Sequence, residues 1–184
     1  LDLKESAEIY MARGMLYRES EKLTEAKADF TAAVGLTSKK DTLMLGRLSY
    51  YMEDYNAAKS YLESAVKSGD REAVYWEAAL YWEMGNTEYA ITLYQDYLSG
   101  EAPEHPEAYA RVASWQIGQE DYDAALSTLE AGIARGESAV LQELLANEIA
   151  VYEKKSDFET AKLKMESYLE RWPEDEEAQR EYLF

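Results

Sequence analysis

Residues 53–66 read EDYNAAKSYLESAV, and the same phrase returns as EKLTEAKADFTAAV (21–34), GNTEYAITLYQDYL (85–98), EDYDAALSTLEAGI (120–133) and KSDFETAKLKMESYL (155–169). Each copy turns on a small residue, Ala26, Ala58, Ala90, Ala125 or Ala161, followed four positions later by Phe30, Leu62, Tyr94, Leu129 or Met165. Apolar residues at i, i+4, i+7 and i+8 share one face of a helix. The alanines are 32, 32, 35 and 36 residues apart, a period at which one supersecondary unit stacks on the next in a helical solenoid. Internal repetition on this scale makes one continuous stack of the whole 184 residues the expected organisation.

Composition agrees with a helical chain. Three prolines and nine glycines leave little room for long loops, and sixteen Tyr, four Trp and abundant Ala and Leu supply a long, thin core. With no Cys and a single His, thiolate chemistry and imidazole-rich metal sites are excluded. No window reaches the roughly 18 uninterrupted apolar residues that span a bilayer. The chain opens without Met or a signal-like segment, so a processed product or an excised fragment is expected.

The net charge of −18 is unevenly spread. Residues 1–71 carry 11 basic and 12 acidic side chains, whereas residues 72–153 carry 2 and 16, a net of −14. Nucleic-acid backbones and anionic membranes are repelled by such a chain, and the acidic middle reads first as a solvated surface.

Taken in order, Ser6 is placed to cap a helix over about 7–19, with Tyr10, Arg13, Gly14 and Tyr17 on one face. Thr24 is placed to cap a partner running to about Gly35. The next pairs are expected to begin at Asp41, at Asp70, behind Pro103 and Pro106, and at Ser138. Gly14, Gly46, Ala78 and Ala113 are small where paired helices approach; Ile149 takes that place in the fifth pair and predicts a wider or shifted pair. Residues 174–184 begin one more helix, with Tyr182 and Leu183 expected to cover the end of the stack.

These residues are similar to the tetratricopeptide repeat (TPR) family. The likeness is carried by Tyr10, Gly14, Tyr17, Ala26, Phe30 and Ala33 in the first copy and Leu45, Gly46, Ala58, Leu62 and Ala65 in the second. Tyr81, Ala90 and Tyr94 carry it in the third, Tyr109, Ala113, Ala125 and Leu129 in the fourth, and Tyr152, Ala161 and Pro173 in the fifth. Tyr97 and Tyr168 stand where the family prefers Ala, and Ser49 and Gln116 where it prefers an aromatic residue. The resemblance implies an all-α, right-handed superhelical TPR solenoid of antiparallel helix pairs. Its repeats cover about 7–38, 39–70, 71–105, 106–140 and 141–173, with a capping helix at 174–184. The acidic, Tyr-rich style also resembles repeat regions of bacterial surface lipoproteins, which leaves the bacterial surface and the cytoplasm both open as locations.

In that family, extended peptides or partner helices dock on the face formed by the first helix of each pair. Carried over by position, the partner-binding groove is Met11, Met15, Arg18, Arg47, Tyr50, Tyr51, Glu72, Tyr75, Trp82 and Glu83, with small residues such as Ala110, Ser114, Ala146 and Ala150 continuing it. Tyr, Trp and Arg dominate binding hot spots because they bury area and direct hydrogen bonds at modest entropic cost. The alternative is that Tyr50, Tyr75 and Trp82 only pad the interface between adjacent pairs. The family's carboxylate clamp of Lys and Asn is absent, its positions being Met11, Met15, Met44, Glu72 and Trp76.

His105 reads as a loop residue, and the acids at Asp121, Asp123 and 174–177 as capping groups. No EF-hand, phosphate loop, catalytic triad or zinc motif occurs. The expected function is a non-catalytic scaffold for a protein or peptide partner, with no cofactor. Two alternatives stand beside it: a structural spacer or self-assembly unit that associates through an uncapped amino end, and a glycan-binding surface in which Glu72 and Glu83 supply hydrogen bonds.

Overall fold

The protein is described here from a computed structural model, in which residues 6–100 and 103–182 are described. They form eleven helices and no strand: α1 (Ala7–Glu19), α2 (Leu23–Leu36), α3 (Thr42–Tyr51), α4 (Tyr55–Lys67), α5 (Arg71–Glu83), α6 (Thr87–Leu98), α7 (Glu107–Gly118), α8 (Tyr122–Ile133), α9 (Leu141–Lys154), α10 (Phe158–Arg171) and α11 (Glu176–Tyr182). The chain divides into two compact units, residues 1–97 and 98–184.

Every helix pair is joined by the same device. Five residues before each motif alanine the backbone turns left-handed, at Glu21, Glu53, Gly85, Glu120 and Ser156, with φ between 59° and 78°. The next residue closes the turn: Lys22, Asp54, Asn86, Asp121 and Asp157 each donate a backbone N–H to the carbonyl five residues back. At Asp54, Asp121 and Asp157 the side chain then accepts from the N–H three residues on, which satisfies one of the orphan donors of the helix start.

This register corrects two expected caps. Lys22, which has no cap acceptor, opens α2, so Thr24 lies inside the helix. The fifth pair starts at Leu141 behind Val140, and Ser138 provides its carbonyl to Leu141 rather than its hydroxyl to the helix. Ser6, Asp41 and Asp70 cap α1, α3 and α5 as expected, and Pro106 immediately precedes α7.

In the first unit, α1 packs on α2 and α3 on α4. The small residues are where the approach is closest: a Cβ on Gly14 would lie 2.6 Å from Cε1 of Phe30, and one on Gly46 would lie 2.7 Å from Cδ2 of Leu62. Phe30 and Leu62 are among the largest fully buried side chains. Arg71, at the start of α5, donates to the carbonyls of Asp96 and Tyr97 in the last turn of α6, a cation at the negative end of a helix.

In the second unit, α7 packs on α8 and α9 on α10. Ile149, in the place of the small residues, joins a core with Ala161, Met165, Tyr168 and Ala178. Gln116, at a position where an aromatic was favoured, is buried and accepts from the Thr128 hydroxyl at 2.8 Å. Tyr168 is likewise buried, and its hydroxyl donates to Asp175 at 2.6 Å. The end of this core is covered by Ala178 of α11, while Tyr182 is exposed and donates to Glu166; Leu183 lies outside the described residues.

Candidate functional site

The groove residues of the first unit converge on one side chain that the sequence reading had placed only among the clamp positions. Trp76, on α5 and 7% exposed, makes edge contacts with Tyr50, Tyr51 and Tyr75 at centroid distances of 5.7, 5.6 and 5.4 Å. Tyr51 is also stacked on Phe30 of α2 at 5.5 Å, and Tyr75 meets Tyr94 and Tyr97 of α6. A continuous set of rings therefore links α2, α3, α5 and α6. Edge-to-face and offset contacts of this kind add to the stabilisation from buried area alone.

Two guanidinium groups sit on these rings. Arg47 Cζ lies 4.9 Å from the Trp76 ring and Arg18 Cζ 5.8 Å from Tyr51, within cation–π range. Glu72 and Trp76 are one helical turn apart, so they share a face of α5. Glu72 Oε1 accepts from Trp76 Nε1 at 3.2 Å and from Arg47 Nη1 at 3.3 Å. That engagement leaves Arg47 Nε as a buried donor with no hydrogen-bond acceptor among the described residues.

The electrostatics of the rings follow from their partial burial. The Tyr50 hydroxyl is pushed up to about 12, first by burial and then by Glu83. Burial also raises Tyr51, with Arg47 and Arg18 acting against it. Both are neutral donors and acceptors at physiological pH.

The other expected positions separate into two kinds. Tyr50, Tyr51, Tyr75 and Trp82 are half-buried, Met15 and Arg47 likewise, and Arg18 and Glu83 are exposed. Met11 is a correction: it is 6% exposed and packed in the core with Ala7, Ala26, Phe30, Ala33, Met44 and Leu48. Ala7, Met11 and Gly14 are the buried residues of α1, and Gly14 lies against Phe30 of α2. Beside this cluster a pocket of about 230 Å³ is lined by Arg18, Leu23, Lys27, Tyr51 and Glu53 with the core residues Ala26 and Phe30. Leu23, two-thirds exposed, had no place in the expected groove.

In the second unit Ala110 is buried, and Ala146, Ala150 and Glu153 line a pocket of about 220 Å³ with Ile149, Met165 and Asp175. His105 is half-buried in the segment before α7. Among the described residues no group of three or more His, Asp or Glu is placed to hold a metal ion, and no helix is long and apolar enough to cross a membrane.

Residues 7–40 and residues 43–111 each match a family profile described as tetratricopeptide repeat, together more than half of the chain. No curated protein sequence matches significantly. Solved structures do. YrrB, described as a TPR protein with an unusual peptide-binding site, superposes with a TM-score of 0.61 at 19% identity, over 100% of this chain and 95% of its own. PilW, described as a widely conserved type IV pilus biogenesis factor, gives 0.69 at 15% identity, over 95% and 81%. A thermophilic TPR protein of Thermus thermophilus gives 0.63 at 14% identity, over 97% of each chain. At these identities the likeness is one of fold.

Proposed function

The chain belongs to the tetratricopeptide repeat family, and on that premise we propose that it is a non-catalytic scaffold that binds an extended segment of a partner protein across the ring cluster of its first unit. The observation that carries this reading is the Arg47–Trp76–Glu72 arrangement. A guanidinium is held flat on an indole and fixed by a carboxylate, with Nε left as a buried donor lacking an acceptor among the described residues. The Arg47 side chain keeps 21% of its surface exposed, and there a partner carbonyl or carboxylate can accept from it.

The half-buried rings around it are ordered by one another. Little side-chain freedom then remains to be lost when a partner covers them, which favours binding. Arg18, exposed over Tyr51, extends the same chemistry toward the pocket at Leu23. YrrB, with its peptide-binding site, is a precedent for a peptide ligand on this fold. The glycan alternative is weakened because Glu72 Oε1 is already engaged twice.

Selection from a displayed library of random peptides tests the proposal. Enriched peptides are expected to lose at least tenfold in affinity to Tyr51→Ala and to Arg47→Met, with helicity unchanged. Failure to enrich, or peptides indifferent to both substitutions, counts against it.

One observation favours a second reading, self-association through the amino end. Ile9 and Leu16, 40% and 61% exposed, lie two turns apart on one stripe of α1. Light scattering over a wide concentration range is expected to register association on that reading, and a monomer at every concentration removes it.

A further inference from the structure

The second unit contains a cleft with no part in the ring cluster. It has a volume of about 500 Å³ and is lined by Ile133 of α8, Leu145 and Glu148 of α9, and Thr160, Leu163, Lys164, Ser167, Tyr168 and Arg171 of α10. That is the size range of small-molecule pockets. Three of the lining side chains are aliphatic, and Leu163 is 59% exposed.

Glu148 is the unusual member. Its side chain is 2% exposed, and its two oxygens are treated differently. Oε1 accepts from Lys164 Nζ at 2.6 Å, whereas Oε2 is buried with no hydrogen-bond partner among the described residues. Buried acceptors are nearly always satisfied, since an unmade hydrogen bond there forfeits the solvation that the group had in water. The remaining polar groups around the cleft are committed. Thr160 Oγ1 donates to Asp157, Ser167 Oγ to the Leu163 carbonyl, the Tyr168 hydroxyl to Asp175, and Arg171 to Glu137. Glu148, whose Oε2 has no hydrogen-bond partner among the described residues, thus lines a cleft whose aliphatic wall is Ile133, Leu145 and Leu163.

We propose that this cleft binds a neutral ring carrying a single hydrogen-bond donor, of the indole or phenol type. The ring lies against Ile133, Leu145 and Leu163, and its N–H or O–H donates to Oε2 of Glu148. An anion sets an acceptor against Oε2, which itself only accepts. A cation competes with Lys164 for a charge already neutralised. A ring without a donor fills the cleft but leaves Oε2 idle. The same chemistry occurs in free small molecules and in the Trp and Tyr side chains of a protein partner.

Titration of the ¹⁵N-labelled chain with indole and with 1-methylindole, the same ring without its donor, tests the proposal by NMR. Indole is expected to shift amide signals around Leu145, Leu163 and Ser167, and 1-methylindole to bind at least tenfold more weakly. The double substitution Glu148→Met with Lys164→Met replaces both charges by side chains of similar length and is expected to abolish that preference. Ser167→Trp, at an exposed position on the rim, is expected to block indole and gives an independent check if the double variant does not fold. Titration with a Trp-containing peptide beside free indole separates the two sources, tighter binding by the peptide assigning the cleft to a protein partner. Equal affinity for indole and 1-methylindole, shifts confined to other regions, or no shift at millimolar indole overturns the proposal.

Discussion

Lys164 donates to Glu148 from sixteen residues further along the chain, the separation at which Arg13 donates to Asp29, and with the charges exchanged. Glu148 immediately precedes Ile149 as Arg13 precedes Gly14, so the two ion pairs occupy the same place in the fifth and first helix pairs. In each the carboxylate is the buried member. Removing the cation alone strands a buried charge. Lys164→Met is therefore expected to destabilise by on the order of 3 kcal/mol, while Glu148→Met with Lys164→Met stays within about 1 kcal/mol of the parent. Urea denaturation checks this; a single substitution no costlier than the double one refutes it.

In the third pair the same place is held by Glu77, 5% exposed, and the residue sixteen further on is Leu93. Burial, reinforced by Glu63, raises the Glu77 pKa above the ordinary 4.5, with Lys59 and Lys67 opposing. A raised folded-state value gives stability that is full below 4.5 and lost as pH rises through the folded value. Glu77→Gln is expected to be more stable than the parent at pH 7, with the gap closing as pH falls toward 4.5. Urea midpoints across that interval decide it.

Asp29 has the opposite sign. Its hydrogen bonds from Arg13 hold its carboxyl below the ordinary 3.8, so its contribution is present above that value and lost as pH falls through the folded one. Asp29→Asn is expected to be less stable than the parent near pH 6 and to converge with it in acid, as followed by the thermal midpoint. A gap that persists unchanged at the lowest accessible pH contradicts the assignment.

Glycines separate close approach from open helix. Gly46→Ala forces Leu62 aside and is expected to cost about 1–3 kcal/mol. Gly35→Ala, with nothing within 4 Å of the added carbon, is expected to stabilise α2 by up to about 1 kcal/mol. Chemical denaturation of the two variants should move in opposite directions.

Trp76→Ala is expected to cost about 3–5 kcal/mol, because it empties the centre of the ring cluster. Trp82 is half-buried, and Trp82→Ala should cost less than half as much. Comparable losses for the two would mean that the rings are not organised around Trp76.

The helices and the close approaches were legible because both follow from one repeated phrase: Ala26, Ala58, Ala90, Ala125 and Ala161 are all buried, and Gly14 and Gly46 lie against Phe30 and Leu62. Thr24 and Ser138 misled because a capping hydroxyl was read by residue type rather than by its distance from the motif alanine; Lys22 holds the cap position. Met11 and Trp76 were misplaced because helical periodicity identifies a face but not which neighbour covers it. The burial of Asp29, Glu77 and Glu148 is not legible in the sequence, since their environment depends on the side chain sixteen residues away and no single helix carries that information. The fourth and fifth pairs, largely beyond the region matched to the family, were nonetheless readable from the same alanine spacing.

The left-handed residue at Glu21, Glu53, Gly85, Glu120 and Ser156 bears on how such a chain changes its length. Because the backbone passes through the same conformation at the same phase of each copy, two turns can be recombined without inventing a new one. Deletion of residues 54–85, which joins Glu53 directly to Asn86, is expected to leave a chain of unchanged fractional helicity by circular dichroism. On that footing the heritable module runs from turn to turn, half of one helix pair with half of the next, rather than from one pair to another.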